Sequence, residues 1–584
     1  MPSCQHSVRG SGGRARLRYT ALVAGAILAL ATVGEAQSVR GALTDPGGSA
    51  VAGAVVLLVD SLDHPVARAL SREHGEYVIV APVAGSYRIR VLRIGYAPSM
   101  DGPFLLRSGE TLSRHLTLSG SAIRLESVKV SAARQCLVRP DSSQAAFVVW
   151  EEARKALAAT SITQASRPTV HLRRYDRRLD ATGLVVQREE AHEERGVSNR
   201  PFVSAPAETL FAQGFVRQDP GGTTYFAPDA DVLLSDKFAD THCFRIDTAT
   251  FGGEALVGVH FSPVEDRNGR ADINGTLWVE RRSAELRTMD FHYTNQPGTK
   301  EGLSGGELEF LRLPNGAWTV GRWQIRMPVF RVRESGALAA AGALEAPGRL
   351  ERRRITELAG VQATGGEVLD VGWQGRTVWS RQPRTLMVHL VDSATNAPLG
   401  TIDGSVEGLN RPIVTDGAGT VSIEGLTPGR YDVLFRLPLL DSLSLGPFRA
   451  QLLVGDSATT SAVVRAPSRS GAFALACGTD ADLEANAVLV GTVVDGATEA
   501  PVANAVVHAR WKAKFARLAG GYTYREEQRQ VNTDSDGRFR ICEVPRDTPL
   551  VISAEKGGQL GLPVSFRASG DSQLAELRLS MRRP

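Results

Sequence analysis

Three segments of this chain repeat one β-hairpin, and that repeat restricts the fold more than any other feature. The hairpins are SREHGEYVIV from Ser71 to Val80, TDGAGTVSIEG from Thr415 to Gly425, and NTDSDGRFRIC from Asn532 to Cys542. Gly75, Gly419 and Gly537 align, and an apolar pair follows two and four residues later: Tyr77 with Ile79, Val421 with Ile423, Phe539 with Ile541. Side chains alternate along a strand, so each pair lies on one face of a half-buried strand. Ahead of each hairpin come two more alternating segments, beginning near Val39, Leu386 and Leu489, joined by turns rich in Asp, Gly, Ser and Thr. A proline turn closes each unit at Pro82, Pro428 and Pro545, and in the first two Tyr87 and Tyr431 open another strand. Each copy therefore reads as a compact antiparallel sandwich of roughly 80 to 100 residues. The third carries an insertion, KAKFARLAGGYTYREEQRQ from Lys512 to Gln530, which is its most distinctive surface.

These residues also resemble a known family. A loosely spaced D-x-x-G-x-x-V-x-G-A-x-V from Asp45 to Val56, the T-D-x-x-G hairpin, the P-x-x-G-x-Y turn and IGYAP at Ile94 to Pro98 resemble the carboxypeptidase regulatory-like domain, a transthyretin-like β-sandwich. The resemblance covers residues 38–132 and 486–582, and more loosely 384–466. It implies a mainly β chain with three transthyretin-like antiparallel β-sandwiches flanking a central β-rich α+β domain. It also implies a carbohydrate-binding-like fold, which makes an envelope glycan or envelope protein the natural partner. LESVKVSAAR, Leu125 to Arg134, resembles the stretch that joins such a sandwich to the plug of TonB-dependent receptors, but soluble-looking sandwiches follow it here instead of a barrel.

The expected layout is a signal peptide at 1–36, sandwiches at 37–132, 385–466 and 486–584, and a central domain at 140–384. Arg9, Arg14, Arg16 and Arg18 precede the uncharged run TALVAGAILALATV (Thr20 to Val33) and the small residues Gly34 and Ala36. This is the secretory pattern, and the run is shorter than the ~20 apolar residues a membrane span needs. Export to the periplasm or outer surface of a Gram-negative cell is the expectation, with no transmembrane segment after cleavage. Net charge is +4, and removing Arg9, Arg14, Arg16, Arg18 and Glu35 leaves +1, so no global field favours nucleic acid. The central region opens with AAFVVWEEARKALAAT (Ala145 to Thr160), whose spacing predicts an amphipathic helix with Glu151, Arg154 and Lys155 on the polar side. Alternating segments follow, including TLWVER and ELRTMDFHY as a long hairpin. A helix and a run of antiparallel strands are similar to the open half-barrel of periplasmic lipoprotein carriers, so an apolar-ligand carrier or an unrecognised hydrolase is the alternative function.

The chemistry-bearing motifs point away from catalysis. None of the eleven His is followed three residues later by Glu, so the H-x-x-E of zinc carboxypeptidases is missing, and His192 sits in the charged run REEAHEERG. Gly302-Leu303-Ser304-Gly305-Gly306 fits G-x-S-x-G, but a strand-like ELEFLRL follows where a nucleophile elbow needs a helix. Asn532, Asp534, Asp536 and Glu543 match the spacing of a calcium loop, yet they enter a strand where the sister copies place turn residues. No catalytic, cofactor or metal residue is assigned, and calcium at these four positions is the one weak cofactor candidate. No aromatic platform for a sugar is identifiable outright: Trp511 with Tyr522 and Tyr524 is the one candidate, and core packing is the competing role and carries the greater weight.

Four cysteines remain after the signal segment, Cys136, Cys243, Cys477 and Cys542, and in an exported chain an even number favours disulfides. Phe539 and Ile541 face the core, so Cys542 faces outward and needs a partner lying over that face. Proximity selects Cys477 for it, and Cys136 for Cys243.

Overall fold

The computed structural model describes residues 37–118, Leu125, and residues 145–197, 204–220, 222–251, 254–264, 269–296, 302–335, 353–409, 411–478, 485–517, 521–568 and 573–581. The expected signal segment, Cys136 and all of LESVKVSAAR except Leu125 lie outside them.

The three copies share one topology. In each, a first strand pairs antiparallel with the hairpin strand and parallel with the last strand of the unit. These are Ser38–Thr44 between Glu76–Val80 and the two short closing strands Thr111–Ser113 and Leu116–Thr117, Thr385–Asp392 between Thr420–Glu424 and Thr459–Ala466, and Asn486–Asp495 between Arg538–Pro545 and Leu574–Met581. The opposing sheet runs Pro65–Leu70, Val55–Val59, Gly85–Leu92, Ser99–Leu106 in the first copy, and its counterparts in the other two follow the same order. The apolar pairs fill the space between the sheets: Tyr77, Ile79, Val421, Ile423, Phe539 and Ile541 are all buried. The aligned glycines explain themselves. Gly75, Gly419 and Gly537 have φ of 76°, 70° and 71°, and a Cβ there would come within 2.6 Å or less of the carbonyl oxygens of Leu43, Leu390 and Val493. Tyr87 and Tyr431 each donate their hydroxyl to a carbonyl four residues back, Val83 at 2.8 Å and Thr427 at 2.9 Å, which fixes the proline turn.

The central region is a helix, Ala145–Ala165, against one face of a sheet whose strands are antiparallel neighbours in chain order from His242–Phe251 to Arg353–Trp373. Thr169–Leu179 and Val185–Val197 then extend it. Between helix and sheet lies an aromatic core in which the Trp150 ring is 5.7 Å from Phe238 and 4.8 Å from Phe244, with Phe261 5.2 Å from Phe238. The side of the sheet that a half-barrel carrier would leave open is thus occupied by the chain's own side chains.

One helix expectation needs correction. Lys155, placed on the polar side by the helical wheel, is 3% exposed. It forms a 2.5 Å ion pair with buried Glu152 and donates to the Tyr96 carbonyl at 2.7 Å, while Gly95 N–H donates to Glu152 at 2.7 Å. The IGYAP turn of the first sandwich therefore holds both charges, and a charge pair that looks solvated on the wheel is a clamp between two units. Beside it, Gly53 and Gly316 abut so closely that a Cβ on Gly53 would be 2.1 Å from the Gly316 carbonyl oxygen.

The central and middle units are not separate layers. Val185 and Val186 pair in parallel with Arg430 and Tyr431, so the central sheet continues through Gly429–Phe435 into the middle sandwich, fourteen strands in all. A buried polar cluster seals this seam. Arg177 Nε donates to Glu189 at 2.7 Å, and its terminal nitrogens reach the Pro428 carbonyl at 2.8 Å and the Tyr431 hydroxyl at 2.9 Å. Thr427 Oγ1 donates to the same Glu189 carboxylate at 3.0 Å. Burial works against the Arg177 charge, but Tyr431, Tyr175 and Glu189 around it hold its pKa above the ordinary value.

Candidate binding surface

The repeated hairpins are occupied by their own turn chemistry. Asp416 Oδ1 accepts from Ala418 N at 2.9 Å and Thr420 N at 2.8 Å, and Asp534 Oδ1 accepts from Asp536 N at 2.9 Å and Arg538 N at 2.8 Å. The calcium-like spacing in the third copy is thus an Asp-capped turn, and Glu543 lies 3.4 Å from Arg529. Among the described residues no group of three or more His, Cys, Asp or Glu is placed to hold a metal ion. The sequence reading missed one device in these turns. Buried Ser71, Thr415 and Thr533 each donate their hydroxyl to a carbonyl (Val51, Leu399, Val502) and accept an amide (Ala54, Ile402, Ala505) at the start of the neighbouring strand. A Ser or Thr four residues before the turn glycine in every copy, immediately ahead of Asp416 and Asp534 in two of them, was the available signal.

Ser304 of the G-x-S-x-G run is buried, and Gly305 begins the strand Gly305–Arg312, so no strand-to-helix elbow forms. His192 lies within the strand Val185–Val197, opposite Arg174. Cys477, at the end of the helix Arg469–Cys477, is joined to Cys542, with Cα atoms 5.7 Å apart. That helix is what covers the outward face of the third hairpin. Cys243 is also in a disulfide; its expected partner Cys136 lies outside the described residues.

The insertion of the third copy builds a surface with no counterpart in the other two. Val506–Ala516 pairs with Tyr522–Asn532 along its whole length, but with Leu550–Lys556 only from Val506 to Trp511. From Lys512 outward the two strands have only each other, so a ribbon of five residue pairs projects about 16 Å beyond the sandwich. Register sorts its faces. Lys512 opposes Glu526, Lys514 opposes Tyr524 and Ala516 opposes Tyr522, so these side chains share one face with Arg510. Tyr522 and Tyr524 are 62% and 65% exposed, and Lys514 Nζ lies 3.7 Å from the centre of the Tyr522 ring. Two of the chain's seven lysines stand in this row. A cleft of about 450 Å³ opens at the ribbon's base between Arg510, Lys512, Glu526 and Pro549. Trp511 does not join the tyrosines: it sits on the opposite face, opposite Glu527, and packs against the third core. Trp511 thus takes the core-packing role weighed for it, and the exposed rings are the two tyrosines, with Lys512, Lys514 and Glu526 on their face.

Residues 38–119 match the family model of the carboxypeptidase regulatory-like domain, so the first sandwich is such a domain. No curated protein matches the chain. Among solved structures, the chain is similar to chlorocatechol 1,2-dioxygenase from Pseudomonas putida at 15% identity, covering 18% of this chain and 63% of that one, with a TM-score of 0.14. The Streptococcal ancillary pilin is similar at 14% identity, covering 48% and 81%, with a TM-score of 0.16. The shaft pilin SpaA from Lactobacillus rhamnosus GG is similar at 10% identity, covering 35% and 98%, with a TM-score of 0.14. No helix among the described residues is long and apolar enough to cross a membrane.

Proposed function

We propose that this chain is an exported, non-enzymatic protein of the cell envelope, in which sandwich modules welded to a central β-rich domain space and present a glycan-binding surface. The observation that carries this reading is the projecting ribbon. Its side chains stabilise no core, yet it exposes two aromatic rings with Lys512, Lys514 and Glu526 on one face, and Arg510 continues that face at its base. Exposed aromatic rings stack on the apolar faces of sugars, and the cations beside them bond hydroxyl or acidic groups. The basic and apolar pattern of residues 1–36 supports export. The filled core around Trp150 and Phe238 favours a scaffold over an apolar-ligand carrier.

The test is retention of the full mature chain on immobilised envelope polysaccharide, compared with a Tyr522→Ser/Tyr524→Ser variant. Retention lost in the variant with unchanged thermal unfolding supports the reading. Equal retention of both proteins refutes it.

A further inference from the structure

Two clefts of similar size flank the central unit, and they differ in how their arginines are employed. The first, about 680 Å³, contains Arg287, Arg312, Arg322 and Arg381, and each is tied to a carboxylate: Glu280 and Glu285, Glu285, Asp456 and Glu309, and Glu309 respectively. That cleft is self-neutralised. The second, about 760 Å³, lies between the first sandwich and the central unit. Arg68 and Arg72 approach it from the first sandwich, Arg167 from the end of the long helix, and Arg376 from the turn after Trp373. None of these four is within 4.0 Å of a carboxylate among the described residues. Glu73 and Glu76 also line the cleft, which leaves two formal positive charges in excess.

Arg167 has an ordinary role available, because a cation at a helix C-terminus is favourable. The other three are exposed and line the cleft without a carboxylate partner among the described residues. Four like charges gathered from separate segments repel one another, and a bound anion removes that repulsion. The backbone supports the placement. Arg167 holds φ at 55°, and a tight turn at Gln374 (φ 49°) and Gly375 (φ 79°) sets Trp373 and Arg376 directly opposite one another. Trp373 thus lines the cleft on the same side of the turn as Arg376, its half-buried ring packed in part against the central core.

We infer that this cleft binds a phosphorylated sugar, with the arginine forks on the phosphate and Trp373 against the sugar ring. Planar guanidinium forks suit phosphate oxygens, and several forks from different directions suit a tetrahedral dianion better than a single planar carboxylate. The phosphosugar chemistry is common to a free metabolite and to a lipid headgroup. Binding there bridges the first sandwich and the central unit, independently of the ribbon.

The experiment titrates the full mature protein at fixed ionic strength with glucose 1-phosphate by calorimetry, and with vesicles of phosphatidylcholine and phosphatidic acid in equal parts by co-sedimentation. Three variants accompany the wild type: Arg68→Gln/Arg376→Gln, Arg72→Gln/Arg167→Gln, and Lys512→Gln/Lys514→Gln on the ribbon. The expected result is saturable binding of glucose 1-phosphate, weakened about a hundredfold by each cleft variant, about tenfold for each of the two charge-assisted contacts it removes, and unchanged by the ribbon variant. Phosphatidic acid presents the phosphate without a sugar, so vesicle binding with that same sensitivity and no binding of glucose 1-phosphate overturns the sugar contact. The inference is overturned if the wild type binds neither probe saturably, or if the ribbon variant weakens binding as much as the cleft variants do. All four arginines are exposed, so the cleft variants retain the fold, which the thermal transition checks.

Discussion

Replacing Glu189 by Gln should loosen the seam between the central sheet and the middle sandwich more than any surface change. Glu189 and Arg177 have side chains 1% and 3% exposed, 2.7 Å apart. Without the carboxylate charge, the Arg177 guanidinium keeps only the Pro428 carbonyl and the Tyr431 hydroxyl as strong partners, and stays buried as a cation. Breaking one side of a buried pair costs about 3–5 kcal/mol, because the remaining charge is left uncompensated. Arg177→Met should cost a similar amount, since it strands Glu189 with the Thr427 and Tyr431 hydroxyls and a 3.6 Å approach from Arg173. The double variant Arg177→Met/Glu189→Leu should recover most of the loss. Apolar replacement of a buried pair is close to neutral, and Tyr431 keeps its bond to the Thr427 carbonyl. Hydrogen exchange at Val185, Val186 and the Gly429–Phe435 strand reads the seam directly, and calorimetry reads its cooperativity. Each single variant should expose these amides and split one shared transition into two. The reasoning is refuted if the singles cost under about 1 kcal/mol and add in the double, which is the behaviour of independent surface pairs.

Thr533→Val should cost about 1–3 kcal/mol in thermal unfolding of the third copy, because it strands the buried Ala505 amide and Val502 carbonyl. Cys477→Ser/Cys542→Ser should lower that copy's stability by about 4 kcal/mol for a link spanning 65 residues, measured by urea unfolding. The Asp392 carboxyl is held below its ordinary pKa by the amides of Thr395 and Ala394. Its stabilising contribution is therefore present above the ordinary carboxylate pKa and lost as pH falls through the depressed value. Asp392→Asn should accordingly flatten the acid limb of the melting profile.

The strands, the turn glycines and the outward facing of Cys542 were readable in the sequence because they depend on neighbours within a few residues. Alternation places Tyr77, Ile79, Val421 and Ile423 inward whatever the tertiary context. The seam was not readable, since it rests on two residue pairs, Val185 with Arg430 and Val186 with Tyr431, roughly 245 positions apart. Lys155 was misplaced for a related reason. A wheel weighs only the helix's own residues, while the group that makes burial tolerable, the Tyr96 carbonyl, comes from another unit. Trp511 parted from Tyr522 and Tyr524 through register: with Ala516 opposite Tyr522, odd-numbered Trp511 falls on the other face.

In the function proposed above, the repeated sandwiches build the frame and the unrepeated ribbon carries binding. The most direct measurement shortens the ribbon in the full chain, replacing Lys512–Glu526 by an Asn-Gly turn, and follows both unfolding and polysaccharide retention. The account predicts an unchanged melting temperature, because the third core ends at Trp511, together with loss of retention. Retention by the shortened chain, or collapse of the third sandwich, would contradict it.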